Sequence, residues 1–438
     1  MAHAGLQGVP KVELHVHLDG SFDPGLLYEA AKAKLDTFSD EVASKIAACS
    51  SVDDFATLVA CTPEDHSLAA MLDRFMFFLP FAQGDLGLLE NLARRFVADQ
   101  AAQNVIYTEV RYSPHVLTKA CQVDTLCQEC DTGEIPAMEA EARAVVEAVT
   151  RGLRRGVAEH PGTEVVQILC FIDARPHWVN SLTTLASDAA AAAAAAPSAS
   201  LDACPIVGVD IAAGESHFAD AQAPLSGKLR NGASHRAGMC QCARSGLGLT
   251  NHAGESGPAA NVAAAVAASY GAARRVGHGY AAVLDAMALA SASGGEPPSP
   301  VAALAAFETI LGIAPAGVTF EFCPTSSRAT NGWAGAEWAE HPAAVLLRLR
   351  EAAERAGDAA TAAALPRATI SSDDPAVFLQ SLTDEYALAA NEMGLGVPAL
   401  RQLAANAIDG AFVGEAHKKR LHARLETAWE EWRGRPAE

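Results

Sequence analysis

The 438-residue sequence is short of positive charge and has no long apolar run. It also lacks several motifs by which enzymes are commonly recognised. Its 52 Asp and Glu outnumber 32 Lys and Arg, for a net charge of −20. That excess disfavours nucleic-acid backbones and acidic membrane surfaces as partners, since both attract cations. No stretch of about 18 uninterrupted apolar residues occurs, so no membrane span is expected. Residues 1–9 contain neither a basic nor a long apolar region, so no signal peptide is expected and the cytoplasm is the expected compartment. The patterns G-x-x-x-x-G-K-[ST], G-x-G-x-x-G and G-x-S-x-G are absent. Phosphoryl, hydride and serine-ester chemistry therefore have no foothold. None of the 14 histidines is followed two residues later by Glu, which excludes the H-x-E type of zinc site.

Half of the residues are hydrophobic, enough for a large core. Ten cysteines are scattered along the chain and read as reduced, mostly buried thiols. Cys127 and Cys130 form a CxxC, and Cys240 and Cys242 a CxC, but neither has a second pair at zinc-knuckle spacing.

Short apolar runs recur between longer, alanine-rich helical stretches. Strands are expected at 11–17, 105–112, 164–172, 205–212, 247–252, 274–278, 318–323 and 368–372. Nearly continuous apolar runs suit strands buried on both faces. Eight strands alternating with helices argue for a (β/α)8 TIM barrel with additional helices and loop insertions. The segment 187–200 is low-complexity and reads as a helix extension or a loop. Segments 219–238 and 291–300 read as surface loops. None breaks the rhythm, so 10–415 is taken as one domain, with 416–438 a helical tail packed on or near it. Residues 24–104 form a long helical excursion.

The polar residues cluster at the strand ends. His15 and His17, in "KVELHVHLDGS", share one face of the first strand because side chains repeat every second residue. A lone histidine is more often a satisfied core residue, but later strands add His252 and Glu255 ("NHAGE"), His278 ("VGHGY"), and Asp373 and Asp374 ("SSDDP"). Such groups are costly in an apolar barrel unless they pair or bind metal. His15, His17, His252 and Asp373 make an N/O ligand set suited to one zinc ion, though cobalt or iron would also bind. His278 and Glu255 then remain for acid–base work, and Asp374 as an acceptor aimed at substrate. The kit is that of metal-assisted hydrolysis with no organic cofactor. No lysine ends any of the eight strands, which argues against a two-metal site bridged by a carboxylated lysine.

These motifs, with "YTEVRYSPH" (107–115) and "FEFCPTSS" (320–327), resemble in order the motif series of the adenosine deaminase family over about residues 10–415. The resemblance implies a zinc enzyme that adds water to C6 of a purine nucleoside and releases ammonia. It implies His15, His17, His252 and Asp373 as metal ligands, with Asp373 also helping to take the proton from water. It implies Glu255 as proton donor to N1, His278 as the base that orients the nucleophile, and Asp374 as the partner of N7. Asp19, with His17 nearby, would hold the ribose hydroxyls. Leu72 and Phe75 fall in the segment that lids the family's purine pocket, where core packing is an equal reading. Arg111, Tyr112 and His115 are read as a buried polar network under the site. The family's D-L-A-G-D-E is here "DIAAGES", 210–216. The glycine that contacts N3 is either displaced to Gly214 or replaced by Ala213. Thr325 and Asn251 also depart from the family pattern.

The implied substrate is adenosine, and 2′-deoxyadenosine with it, in purine salvage. The rival is a 5′-nucleotide such as AMP or N6-methyl-AMP. An ionised Asp19 would repel a 5′-phosphate by about 4 kcal/mol per unit charge at 4 Å and an effective dielectric of about 20. A catalytically silent nucleoside-binding protein is disfavoured because every matching group is present. The expected partner is a small purine nucleoside, with no nucleic acid, membrane or obligate protein partner.

Overall fold

The computed structural model describes residues 3–62, 65–119, 121, 135–195, 201–218, 231–292 and 297–433. Parallel strands form two sheets. The first holds β1 (Lys11–His17), β2 (Val105–Tyr112), β3 (Glu164–Ile172), β4 (Ile206–Ala212) and β5 (Gly248–Leu249), paired in that order. The second holds β6 (His252–Ala253), β7 (Arg275–His278), β8 (Thr319–Phe322) and β9 (Arg367–Ile370). The strand interiors are buried, as the apolar runs require.

Two junctions join the sheets into eight staves. β5 and β6 are halves of one stave, parted by Thr250 and Asn251, which bond outward: Thr250 N donates to Val209 O at 3.1 Å, and Gly277 N to Asn251 O at 2.7 Å. The expected continuous strand 247–252 is therefore broken where it must serve both neighbours. Opposite, His17 N donates to Asp373 O at 2.8 Å and Asp373 N to His15 O at 3.0 Å, which brings the chain after β9 beside β1.

Helices cover the outside. The excursion before β2 comprises Pro24–Ala33, Asp40–Ala48, Val52–Val59, Leu68–Phe78 and Leu86–Ala102. The alanine run continues the helix Val179–Ala195, as the best helix former should. Its remainder, 196–200, lies outside the described residues. The segment expected as a loop at 219–238 is corrected in its second half, because a helix spans Asn231–Arg244. The loop expected at 291–300 is bounded by helices Tyr280–Ala292 and Pro300–Leu311, the latter capped by Ser299. Residues 219–230 and 293–296, and the CxxC of Cys127 and Cys130, lie outside the described residues. Among the described residues eight cysteines are free thiols, and no helix is long and apolar enough to cross a membrane. The last helix, Glu415–Arg433, buries Leu421, Leu425 and Trp429.

The strands' N-terminal end is plugged. Phe412 N donates to Glu109 Oε1 at 2.6 Å, and the Arg275 guanidinium lies 4.0 Å over the Phe412 ring. Arg275 also pairs with Glu109 and Glu321. This ring needs glycine beneath it: a Cβ on Gly248 would fall 2.1 Å from Phe412 Cγ. With that end closed, the C-terminal mouth is left for chemistry. Gly248→Ala should lower stability by about 1–3 kcal/mol through overpacking. A thermal melt reads this as a reduced Tm, and an unchanged Tm would contradict the plug.

Candidate metal centre at the barrel mouth

His15 and His17 stand two apart on β1, so both imidazoles reach the same side. His252 opens β6 across the mouth, and Asp373 follows β9. His15 Nε2 lies 3.1 Å from His252 Nε2 and 3.2 Å from Asp373 Oδ1. His17 Nε2 lies 3.3 Å from His252 Nε2 and 3.5 Å from Asp373 Oδ1. Ligands about 2.0–2.1 Å from a tetrahedral zinc ion stand about 3.3 Å apart. The cluster has those edges.

The outer nitrogens explain the inward ones. His15 Nδ1 is 2.9 Å from Glu321 Oε2, and His252 Nδ1 is 3.0 Å from Asp210 Oδ2. A carboxylate at Nδ1 keeps the proton there and turns the Nε2 lone pair to the centre. Lone pairs facing one another at this range repel unless a cation lies among them. The donor set therefore fits a divalent metal held by His15, His17, His252 and Asp373.

Arg111 ties the two supporting acids together. Its Nη1 lies 2.8 Å from Asp210 Oδ2 and its Nη2 2.7 Å from Glu321 Oε2, all fully buried. Tyr112 and His115 point elsewhere: Tyr112 OH donates to Gln167 at 2.8 Å, and His115 lies 2.9 Å from Ser181 Oγ. Sequence reasoning quoted the motifs containing Asp210 and Glu321 but gave neither a role. The signal was available, as each is a lone acid in an apolar strand and so must be paired.

A second ring of groups surrounds the cluster. His278 Nε2 is 3.6 Å from Glu255 Oε2 and 3.9 Å from Asp373 Oδ2. Burial holds the His278 imidazole well below its ordinary pKa, so it is neutral. Burial first, and then the Asp373 charge, push Glu255 up to about 8. Thr330 Oγ1 donates to Glu255 Oε1 at 3.2 Å. His278 and Asp373 both have left-handed backbones, with φ of 64° and 63°. Such strain in non-glycine residues gathers at functional sites and here aims both side chains into the mouth.

Asp374 and Asp19 are both buried beside the cluster. Asp374 packs so close to Gly20 that a Cβ there would lie 1.8 Å from Asp374 Oδ1. Oδ1 of each acid is buried without a hydrogen-bond partner among the described residues. Burial pushes Asp19 up to about 7. Burial, then Asp373 and Asp19, hold Asp374 well above the carboxylate range.

Ala213 has φ of 64° and Gly214 φ of 133°, both part-exposed after β4. A Cβ on Gly214 would meet Asp173 Oδ2 at 2.8 Å, so the glycine is required at Gly214, while Ala213 carries the strain. Leu72 and Phe75 are half-buried on the helix Leu68–Phe78 and pack against the apolar core.

The adenosine deaminase family model matches residues 10–428. Adenosine deaminase of Xenopus tropicalis is 28% identical over 421 residues, covering 96% of each chain. An adenine deaminase of Rhizobium etli is 27% identical, covering 95% of this chain and 98% of its own. Among solved structures, the apo N6-methyl-AMP deaminase of Arabidopsis thaliana is 20% identical with a TM-score of 0.61, covering 98% of this chain and all of its own. An amidohydrolase of Burkholderia ambifaria with bound Zn is 18% identical with a TM-score of 0.59, covering 98% and 93%. At these identities the solved structures bear on the fold alone.

Asp210→Asn removes the charge behind His252 while keeping its size. Chelator competition should then read a metal affinity about 10–100-fold weaker. Undiminished affinity would show that Asp210 does not orient a ligand.

Proposed function

The chain belongs to the adenosine deaminase family of hydrolytic deaminases, and on that premise we propose that it converts adenosine and water to inosine and ammonia, with zinc as the metal. The observation that carries the proposal is the tetrahedron-sized set of His15, His17, His252 and Asp373, flanked by Glu255, His278 and Asp374. His15, His17, His252 and Asp373 would hold the zinc, which would supply the acidity that makes a bound water a nucleophile at neutral pH.

The chain's own residues supply the rest. Glu255 holds a proton at neutral pH and gives it to N1, which draws electrons from C6 and opens it to attack. His278, neutral and 3.9 Å from Asp373, takes up the proton of the attacking water and fixes its direction. A C6–O bond forms, the amino group takes the proton held by His278, the C6–N bond breaks and ammonia leaves, and the new C6 hydroxyl returns a proton to Glu255 as the C6=O bond forms. N7 of a purine accepts hydrogen bonds, and Asp374 in its protonated form donates one. Asp19, 4.0 Å from His17 Nδ1, takes the sugar hydroxyls. The setting suits a role in purine salvage.

A 5′-phosphorylated substrate fits less well. The repulsion argued from Asp19 weakens, because burial leaves that acid only partly ionised near neutrality. What disfavours a phosphate is the lack of counter-charge: among the described residues neither Asp19 nor Asp374 forms an ion pair with lysine or arginine.

An ultraviolet assay of adenosine, 2′-deoxyadenosine, AMP and N6-methyl-AMP in parallel tests the proposal. Adenosine should be converted and the two nucleotides ignored. Conversion of a nucleotide alone would keep the deamination chemistry and overturn the reading of the sugar pocket.

A further inference from the structure

The residue after Gly214 has no assigned part. Glu215 is buried, and its carboxylate lies inside the loop that follows β6. Oε1 accepts from the amides of Glu255, Ser256 and Gly257 at 3.0, 2.9 and 3.0 Å. Oε2 accepts from the Gly254 amide and from Asn261 Nδ2, both at 2.8 Å. Four successive backbone N–H groups thus point at one anion, an arrangement that binds a charge tightly and fixes the backbone that supplies it. Gly257 is needed for the approach, because a Cβ there would lie 2.5 Å from Glu215 Oε2.

Glu215 is itself held. Asp173, at the end of β3, accepts from Ser216 N at 3.1 Å, Ser216 Oγ at 2.7 Å, His217 N at 2.7 Å and His217 Nδ1 at 2.8 Å. So the β3 end anchors the β4 loop, and the β4 loop anchors the loop that carries Glu255. On its far side Glu255 meets Thr330 and Gly332. Its carboxyl is therefore gripped from one side by hydroxyl and packing, and its backbone from the other by Glu215.

We propose that Glu215 is a positioning residue for deamination, acting through Glu255 by holding the 254–257 backbone at the distance proton transfer to the purine requires. The inference rests on the deaminase reading above. Glu215→Gln keeps the side chain's size but turns an amide NH2 toward donors, which breaks the nest on one side.

The test is a double-mutant cycle with Glu255→Gln, with hydrogen exchange measured on the same proteins. Glu215→Gln should lower kcat ~100-fold, the low end of what a positioned acid contributes, and leave KM and bound metal unchanged. In the Glu255→Gln background it should cost nothing further, since there is no proton donor left to position. Amides 254–257 should exchange faster in Glu215→Gln whatever the substrate proves to be. Should Glu215→Gln fail to fold, Asn261→Ala removes one donor at the nest's edge and should give the same pattern at smaller amplitude. Wild-type activity in the variant, an equal loss in both backgrounds, or unchanged exchange at 254–257 would each overturn the proposal. Absence of deamination by the wild type, with exchange altered as expected, would instead count against the function and leave the nest standing.

Discussion

Arg111 bridges two buried acids, and the mouth of the barrel depends on that bridge. Its guanidinium lies 2.8 Å from Asp210 and 2.7 Å from Glu321, and those acids lie against the outer nitrogens of His252 and His15. Charges so deeply buried are tolerated only when each is paired. Here the pairing also sets chemistry, because it decides which ring nitrogen of each histidine carries the proton. One cation under the floor therefore determines that the lone pairs above meet at one point. Arg275 repeats the arrangement one layer down, joining Glu321 to Glu109 and covering the Phe412 plug.

Above that floor the acids are sorted by their surroundings. Asp373 sits among the imidazoles of His15, His17 and His278. Among the described residues Glu255, Asp19 and Asp374 form no ion pair with lysine or arginine, and burial raises all three. A purine presents acceptors at N1 and N7, so the useful acid opposite them is a protonated one. The loops that present the acids are braced in series, from Asp173 through Glu215 to Glu255.

Much of this was legible in the sequence, for physical reasons. Strands buried on both faces leave unbroken apolar runs, so β1, β2 and β3 have the expected bounds. The imidazoles and acids were found because polar groups at apolar strand ends demand a partner. The break at Thr250–Asn251 was not legible, since it arises from bonding to both neighbouring staves. The helix Asn231–Arg244 was hidden by Gly, Ser and His in a stretch that reads as turn. Arg111 was rightly read as part of a buried network, but Asp210, Glu321 and Glu215 went without roles because their partners lie on other strands. Asp374 is pushed up by burial and then by Asp373 and Asp19 beside it, which no single motif displays.

The central claim is one metal ion at one four-ligand site, with deamination depending on it. The direct measurement is a titration of metal-stripped protein with zinc while inosine formation is followed. The account predicts no activity without metal, a linear rise, and a plateau at one zinc per chain. Full activity in metal-stripped protein, or a plateau only at two zinc ions per chain, would contradict it.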